Sequence, residues 1–532
     1  MPVLTSDVDT ASATYLGNRE VQTAAVAALN DQLDLVAAGG GERYVLRHHQ
    51  RGKLLARERV ELLIDRDAPF MELSALAAWG TRFNVGAAIV TGVGVVSGIE
   101  CMIIAHDPTV RGGTMNPYTL RKNLRALEIA RVNRLPVVYL VESGGADLPT
   151  QSDLFVDAGR IFQNLTELSA MGIPTVSLVF GNSTAGGAYV PGMCDYAVLV
   201  DQAAKVFLGG PPLVKMATGE ESDDESLGGA DMHTRVSGLG DYFAVDEVDA
   251  IRIGRDIVAH LNWRKLGPGP TKPADEPAYD SEELLGIASG DSRVPFDPRD
   301  VIARVVDGSR FSEYKPRWGT SLATGWATIH GFPVGILANT RGVLFSEEAK
   351  KATEFILLAN QTDTPLIFLQ NVTGFMVGAE YEQGGIIKDG AKMINAVTNS
   401  TVPHITINMG GSFGAGNYGM SGRAYDPRFM FTWVNAKLAV MGAAQLAGVM
   451  SIVGRAAAES AGRDFDLEAD AKSTAAIEDQ IERESHAFFI SGKVYDDGVI
   501  DPRDTRSVLG MSLSAAHSNI VAGRRGFGVF RM

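Results

Sequence analysis

The chain is poor in the residue types that would identify several common protein classes. Two of its 532 residues are cysteine, Cys101 and Cys194, which excludes a disulfide scaffold and a zinc site built from cysteines alone. Basic residues are outnumbered, because 48 Lys and Arg face 63 Asp and Glu, and the formal net charge is −15. A nucleic-acid-binding protein needs a basic surface, so this balance argues against that class.

Long hydrophobic runs are also missing. The most apolar window, residues 86–105, contains Glu100 and three internal glycines, so it predicts two buried strands, at 87–90 and 99–105, and no membrane span. The first 20 residues lack the basic start and the apolar core of a signal peptide. We therefore expect no contact with a membrane, and a place in the cytoplasm or, in a eukaryote, in the mitochondrial matrix. The nine histidines form no recognisable metal-binding pair, and we expect no metal site.

Glycine, by contrast, is abundant: 59 of 532 residues, or about 11%, against a usual ~7%. Proline marks a boundary, since residues 266–278 contain four prolines and two glycines and predict a stiff linker. Apolar spacing predicts a helix at 21–38. The predicted organisation is a flexible tail (1–18), an N-terminal domain (19–268), a linker (269–278) and a C-terminal domain (279–532).

The two domains are predicted to be copies of each other. Matching landmarks stand 229 residues apart: Pro136 and Pro365, Pro174 and Pro403, Gly187 and Gly416. A fixed spacing at several landmarks indicates an internal duplication. The apolar strands predicted in the copies span residues 137–141, 175–180, 366–370 and 404–409. Continuous apolar strands that alternate with helices predict an α/β fold whose sheets are covered on both faces.

A glycine turn follows the second of these strands in each copy, at Gly181–Ala188 and Gly410–Asn417. Small residues let a ligand approach the backbone closely, and the free N–H groups at a helix start can hold an anion or a developing oxyanion. The alternative is that the glycines serve tight packing between strand and helix.

The second turn also fits two other motifs. Residues 414–419 match G-x-G-x-x-G, but no acidic residue follows at the distance that a dinucleotide site requires. Residues 410–414 match the nucleophile elbow of serine hydrolases, and Asp466 and His486 follow Ser412 in the required order, so a hydrolase stays as a remote alternative. The basic segment 42–59 predicts either a solvated helix face or a contact with a phosphate or an acidic partner.

Many segments together resemble the β (carboxyltransferase) subunits of biotin-dependent acyl-CoA carboxylases, above all the 3-methylcrotonyl-CoA branch. The resemblance runs from about residue 33 to residue 532. The segments that carry it are GKLLARERVELLID (52–65), TVRGGT (109–114), NRLPVVYLVESGGADLP (133–149), TAGGAYVPGMCD (184–195), GGPPLVKMATGEE (209–221), LGGADMH (227–233), ARVVDGSRFSEYK (303–315), GVLFSEEAKKATEF (342–355), LQNVTGFMVG (369–378), GGSFGAGNYGMSGRAYDPRF (410–429) and DDGVIDPRDTRSVLG (496–510).

This resemblance implies two duplicated crotonase-like (ClpP/crotonase) domains, each a spiral of ββα units. It implies transfer of a carboxyl group from carboxybiotin to 3-methylcrotonyl-CoA, in leucine degradation. Geranyl-, propionyl- or another enoyl-CoA is the alternative substrate, and a decarboxylase would run the same site backward. Biotin would be carried on a separate α subunit with biotin carboxylase and carrier domains, around a homo-hexameric β core in an α6β6 complex. A non-catalytic scaffold within such a complex is a further alternative.

The resemblance also implies residue roles. Gly186 and Gly187 would hold the thioester oxyanion, and Ala415 and Gly416 the biotin oxygen. The expected substrate-binding residues are Ala185, Ala188, Gly342, Val343, Leu344, Phe345, Phe413, Gly414 and Tyr418. Phe413 is expected to shorten the acyl pocket, whereas for Phe345 plain core packing is an equal alternative.

Three departures from the family pattern leave the substrate open. Asp147 stands where the methylcrotonyl branch has Asn, Asn182-Ser183 replaces Ser-Cys, and residues 84–87 replace a Pro-Ala-Gly-Gly-like stretch.

Overall fold

Two mixed sheets organise the described part of the chain, which is residues 1–291 and 294–532 of a computed structural model. The strands of the first sheet are β1 (Phe70–Leu73), β2 (Ile89–Val96), β3 (Ile99–His106), β4 (Val137–Ser143), β5 (Thr175–Thr184), β6 (Tyr196–Val200), β7 (Lys205–Phe207) and β8 (Tyr242–Ala244). Their order is β1-β2-β3-β4-β5-β6-β8, with β7 beside the end of β5.

The second sheet repeats this plan. Its strands, with the short ribbon β12-β14 beside it, are β9 (Ser312–Glu313), β10 (Leu322–Ile329), β11 (Phe332–Asn339), β12 (Val343–Leu344), β13 (Leu366–Val372), β14 (Gly374–Phe375), β15 (His404–Phe413), β16 (Phe429–Trp433), β17 (Lys437–Ala439) and β18 (Val499–Ile500). The order is β18-β16-β15-β13-β11-β10-β9, with β17 beside β15.

Helices cover the sheets and connect their parallel strands. Those of the first half are α1 (Ala13–Ala37), α2 (Glu42–Gln50), α3 (Ala56–Leu63), α4 (Pro117–Asn133), α5 (Gln151–Ala170), α6 (Tyr189–Met193), α7 (Pro211–Thr218), α8 (Asp224–Gly228), α9 (Ala230–Met232) and α10 (Glu247–His260). Those of the second half are α11 (Leu284–Ile287), α12 (Pro298–Ala303), α13 (Ser346–Gln361), α14 (Ala379–Gly384), α15 (Ile386–Asn399), α16 (Gly414–Gly419), α17 (Ala443–Ser460), α18 (Leu467–Ser485), α19 (Ala487–Gly492) and α20 (Thr505–Ala516).

One central strand in each sheet is buried along its whole length, as covered sheets require. Every residue of β4 and of β13 is buried. In each sheet an antiparallel hairpin is followed by parallel strands. The α/β fold class predicted from continuous apolar strands is confirmed.

The duplication extends to irregular details of the backbone. In the first sheet the pairing steps from Val141–Val179 to Ser143–Ser183, and in the second from Gln370–Asn408 to Val372–Ser412, which are the same positions plus 229. Two fully buried lysines repeat as well, because Lys122 and Lys351 are also 229 apart. Each donates from Nζ to a carbonyl at the start of its hairpin, at 2.7 Å from Ile89 and from Leu322 respectively.

Three local predictions differ from the structure. The strand predicted at 87–90 begins at Ile89, because Ala87 and Ala88 have left-handed φ values of +57° and +58°. The two glycine turns also begin later than predicted, since β5 and β15 continue to Thr184 and Phe413. The glycines do not end these strands, because β7 pairs with the last residues of β5 and β17 pairs with those of β15.

The segment predicted as a flexible tail, residues 1–18, makes contacts with the second half of the chain. Leu4 donates its N–H to the Ser309 carbonyl at 2.8 Å, and Ser6 donates to Asp300 at 2.7 Å. α1 begins at Ala13, and the Tyr15 ring is buried. Apolar side chains distributed through this polar segment are enough to fix it on the second half of the chain.

The two halves share one large hydrophobic cluster. It contains Met71 and Ile104 from the first half together with Ile336 and Phe431 from the second. The segment predicted as a linker follows the surface of the second half, where Thr271 donates its N–H to the Gly331 carbonyl at 2.9 Å. The domain boundaries remain predictions. Within the described residues no helix is both long and apolar enough to cross a membrane.

Candidate active site

The first glycine turn begins where β5 ends. Residues Ala185–Ala188 form a 3-10 turn that leads into α6, and Ala185 has a left-handed φ of +54°. Gly186 and Gly187 are the second and third residues of this turn. Because the first N–H groups of a helix have no partner within it, this backbone can hold an oxyanion.

Packing does not require glycine at these two positions. A methyl group on Gly186 would lie 3.5 Å from the Phe162 ring, and one on Gly187 would lie 4.0 Å from Ser183 Oγ, both ordinary contact distances. Neither residue has a positive φ. The described residues therefore leave room on the Cβ side of both glycines.

A small, partly open cavity of about 100 Å³ lies beside this turn. Its lining is mainly apolar and comes entirely from the first half of the chain. The lining residues are His106, Met115, Asn123, Val141, Ser143, Ala146, Ala158, Ile161, Phe162, Ser183, Ala185, Gly186, Gly187 and Val190.

A buried network of charges lies under the first turn, at the end of β4. Arg59 contacts Glu142 at 2.7 Å and Glu247 at 2.8 Å, and Lys53 also pairs with Glu142. Burial alone would raise the pKa of Glu142, but Arg59 and Lys53 hold it below its usual range. Gly181 is required here, because a Cβ on it would lie 2.5 Å from Glu142 Oε1.

The second turn has the same backbone form. α16 spans Gly414–Gly419, and Gly414 has a left-handed φ of +51°. Ala415 is exposed and Gly416 is buried. In contrast to Gly187, Gly416 is required by packing, because a Cβ there would lie 2.7 Å from Val372 Cγ2.

Amides replace the charges beneath the second turn. Ser412 Oγ donates to Gln370 at 2.6 Å and accepts from Asn417 Nδ2 at 2.7 Å. The Asn371 side chain accepts the Gly411 N–H at 3.1 Å. The hydroxyl of Ser412 is thus fully engaged with amide groups.

These contacts argue against a serine hydrolase. Ser412 is fully buried and its two hydrogen-bond partners are amides. His486 caps α19 and stacks on Trp79, and Asp466 caps α18. Ser412, Asp466 and His486 follow the order of a catalytic triad along the chain, but each has other partners in the structure.

The other predicted substrate-binding residues lie mostly at the second turn. Gly342 precedes β12, which pairs with β14 through Val343 and Leu344. A Cβ on Gly416 would lie 3.1 Å from Gly374 Cα in β14, so β12 and β14 flank the second turn. The remaining positions are Phe345, which contacts the Tyr381 ring, Phe413, buried at the end of β15, Gly414, and Tyr418, exposed and against Tyr425. Ala185 and Ala188 stay with the first turn.

Two further sequence features have defined places. Asp147 is nearly buried, accepts from Thr150 Oγ1 at 2.8 Å and lies 3.7 Å from Arg111. The basic segment divides, because Lys53 and Arg59 pair with acidic side chains of the chain itself while Arg43 is exposed on α2.

Three residues beside the first turn were not predicted from the sequence: His106, Glu142 and Phe162. His106 and Glu142 are the first polar residues after apolar runs at the ends of β3 and β4. Because carboxyl ends of parallel strands meet at one edge, this pattern could have predicted them as neighbours of the turn. Phe162 lies within α5 and carries no such signal.

Comparison with known proteins agrees with this architecture. The carboxyl transferase domain family matches residues 47–529. A probable biotin-dependent acyl-coenzyme A carboxylase beta2 subunit of Mycobacterium tuberculosis is 66% identical over 95% of both chains. The methylcrotonoyl-CoA carboxylase beta chain of Dictyostelium discoideum is 49% identical over 100% of this chain and 91% of its own. The crystal structure of the P. aeruginosa geranyl-CoA carboxylase beta subunit superposes with a TM-score of 0.90 at 41% identity, covering 99% of each chain. The crotonase-like fold is confirmed.

Proposed function

We propose that this chain, which belongs to the carboxyl transferase family, transfers a carboxyl group to 3-methylcrotonyl-CoA. The family membership makes it a carboxyltransferase component of biotin-dependent acyl-CoA carboxylases. Support for the substrate comes from relatives named methylcrotonoyl-CoA carboxylase beta chain at 47–49% identity. Geranyl-, propionyl- or another enoyl-CoA remains the alternative, because a geranyl-CoA carboxylase subunit has the same fold.

The observation that carries the proposal is the free space at Gly186 and Gly187. Both are glycine although the chain itself leaves room for a methyl group. In this proposal their N–H groups hold the thioester oxygen while it carries negative charge, and the apolar cavity beside them takes the acyl group. No side-chain base of this chain is required.

The second turn is proposed to hold the ureido oxygen of biotin. Ala415 is exposed in the first turn of α16, where backbone N–H groups lack helical partners, and this donor set fits a neutral carbonyl that gains negative charge. Biotin, when bound, supplies the carboxyl group and accepts the proton of the substrate. Gly342–Leu344, Phe345, Phe413, Gly414 and Tyr418 would shape the entrance for the acyl-CoA and the biotin at this turn.

The assembly is proposed to complete the site. The cavity at the first turn is lined by the first half alone, so a second copy of the chain would bring the second turn to it. We expect a homo-hexameric core with a separate α subunit that carries biotin, in the cytoplasm or, in a eukaryote, in the mitochondrial matrix. Domains at 19–268 and 279–532, joined by residues 269–278, would each contribute one turn.

The test is carboxylation by the complete complex, with ATP, labelled bicarbonate and four acyl-CoAs. Fixation on 3-methylcrotonyl-CoA well above that on geranyl-, propionyl- and acetyl-CoA is the expected result. Gly187→Ala should lower the rate at least tenfold, or about 1.4 kcal/mol of transition-state stabilisation, because its methyl group occupies the ligand space.

Gly159→Ala is the matched control, since a Cβ at this position of α5 meets none of the described residues within 4 Å. It should leave the rate unchanged. An unchanged rate in Gly187→Ala would contradict the role of the first turn, whereas preference for another acyl-CoA would overturn the substrate and keep the reaction.

A further inference from the structure

A buried imidazole in the cavity at the first turn has no assigned role. His106 ends β3, its side chain lines the cavity, and it is 3% exposed. Among residues 1–291 and 294–532, neither ring nitrogen has a hydrogen-bond partner. The Leu140 carbonyl and the Glu142 carboxylate raise the pKa of the ring, but by less than burial lowers it.

This arrangement is costly unless something else uses the ring. A buried polar group without a partner costs about 1–3 kcal/mol relative to a bonded one. The other polar side chains of the cavity are engaged: Ser143 donates to the Gly113 carbonyl, Ser183 to the Gly187 carbonyl, and Asn123 accepts from Tyr139. His106 is thus the cavity's free polar group within the described residues.

The ring is uncharged when it meets a ligand. Burial lowers the pKa of His106 to about 4, so at neutral pH the imidazole offers one N–H donor and one acceptor. It faces the glycine turn across the sheet: β3 and β5 are separated by β4, which places their backbones roughly 10 Å apart. An acyl chain whose thioester is held at Gly186 and Gly187 would extend toward it.

We propose that His106 is a catalytic residue that donates a hydrogen bond to the carboxylate formed at the far end of the acyl chain. This inference rests on the proposed function. An enoyl thioester with a γ-hydrogen gives a dienolate that is nucleophilic at its α and γ carbons. In this proposal the γ carbon lies on the side of His106, at the end of the acyl chain away from the turn, whereas the α carbon lies next to the turn.

The step balances without a proton transfer. The γ carbon forms one C–C bond to CO2, one C=O π pair moves onto oxygen to give the carboxylate, and the thioester carbonyl is restored. His106 keeps its N–H throughout and stabilises charge that is absent from the substrate.

The test compares His106→Leu and His106→Asn with wild type in the complete complex. Leu removes the donor, whereas Asn keeps an N–H in a smaller side chain. For 3-methylcrotonyl-CoA we expect His106→Leu to lower kcat at least tenfold with KM within twofold, because the bond forms after substrate binding. His106→Asn should recover most of the loss.

A binding measurement makes the result independent of turnover. The inhibition or dissociation constant of the carboxylated product thioester should rise at least tenfold in His106→Leu and little in His106→Asn. Equal product affinity in wild type and His106→Leu would overturn the inference. Equal losses of product affinity in His106→Leu and His106→Asn, accompanied by a lower melting temperature, would overturn it as well. A wild-type complex that binds the product through His106 but fixes no carboxyl group on this substrate would contradict the proposed function instead.

Discussion

The carboxyl ends of the two sheets have nearly the same backbone and very different side chains. Under the first turn Glu142 is held by Arg59 and Lys53, and under the second turn the position 229 residues later is Asn371, which accepts a backbone N–H. The first edge also has an apolar cavity with an unpartnered His106, where the second sheet has Asn339 at the end of β11.

The comparison separates what the fold requires from what the chemistry requires. Both copies keep a left-handed residue at the turn, Ala185 or Gly414, and a glycine that faces the side chain of the neighbouring strand, Gly181 or Gly410. These features recur because the backbone geometry demands them. The charges, amides and cavity differ because each turn is proposed to hold a different ligand.

The largest difference in stability loss between the two copies should appear when the buried network beneath each turn is broken. Arg59→Leu leaves Glu142 and Glu247 buried with fewer cationic partners and should lower the free energy of unfolding by about 3–5 kcal/mol. Asn371→Ala, in the second copy, leaves one N–H unpaired and should cost about 1–3 kcal/mol. Urea denaturation measures both.

Arg252→Gln is a suitable control, because the ion pairs of this exposed arginine with Asp249 and Asp256 lie at the surface and the substitution should change stability little. Equal losses in Arg59→Leu and Asn371→Ala would mean that the two networks contribute alike to the fold.

The pH dependence of the free energy of unfolding should reveal the difference between the strand ends at His106 and at Asn339. The pKa of His106 is lowered in the folded state to about 4 from an ordinary 6.5, so the unfolded chain binds more protons between these values. Its contribution to stability is therefore present above pH 6.5 and is lost as the pH falls toward 4, by about 3 kcal/mol in total. His106→Asn makes the first copy like the second and should lack this loss.

Thermal or urea unfolding between pH 4 and pH 7 measures this difference. A parallel pH dependence in wild type and His106→Asn would show that the ring is already charged or solvated in the folded protein.

The smallest expected effect is on the turn glycines. Gly416→Ala puts a methyl group 2.7 Å from Val372 and should cost about 1–3 kcal/mol of folding stability. Gly187→Ala puts a methyl group at an ordinary contact distance, 4.0 Å from Ser183 Oγ, and should stay within about 0.5 kcal/mol of wild type. Unfolding curves of the two variants should therefore separate, and their coincidence would contradict the view that Gly187 is kept for a ligand and Gly416 also for packing.

Local sequence predicted the strands well at their beginnings and less well at their ends. The strands predicted to start at residues 137, 175, 366 and 404 start there, because a proline or an apolar run marks the entry. Each strand ends later than predicted, since polar residues such as Glu142 and Ser412 continue the pairing. Local sequence could not predict the contacts of residues 1–18, because their partners, such as Ser309, lie about 300 residues away.

The amino-acid sequence by itself determined the duplication, the α/β class and the strand that each glycine turn follows, because these depend on periodicity and on residues close together in the chain. Tertiary structure alone decided what surrounds each turn. Arg59 meets Glu142 across 83 residues, and His106 enters a cavity closed by α5, a helix that starts 45 residues later. Such contacts depend on which strands become neighbours in the sheet. The spacing of residues along the chain does not predict which side chains meet across neighbouring strands.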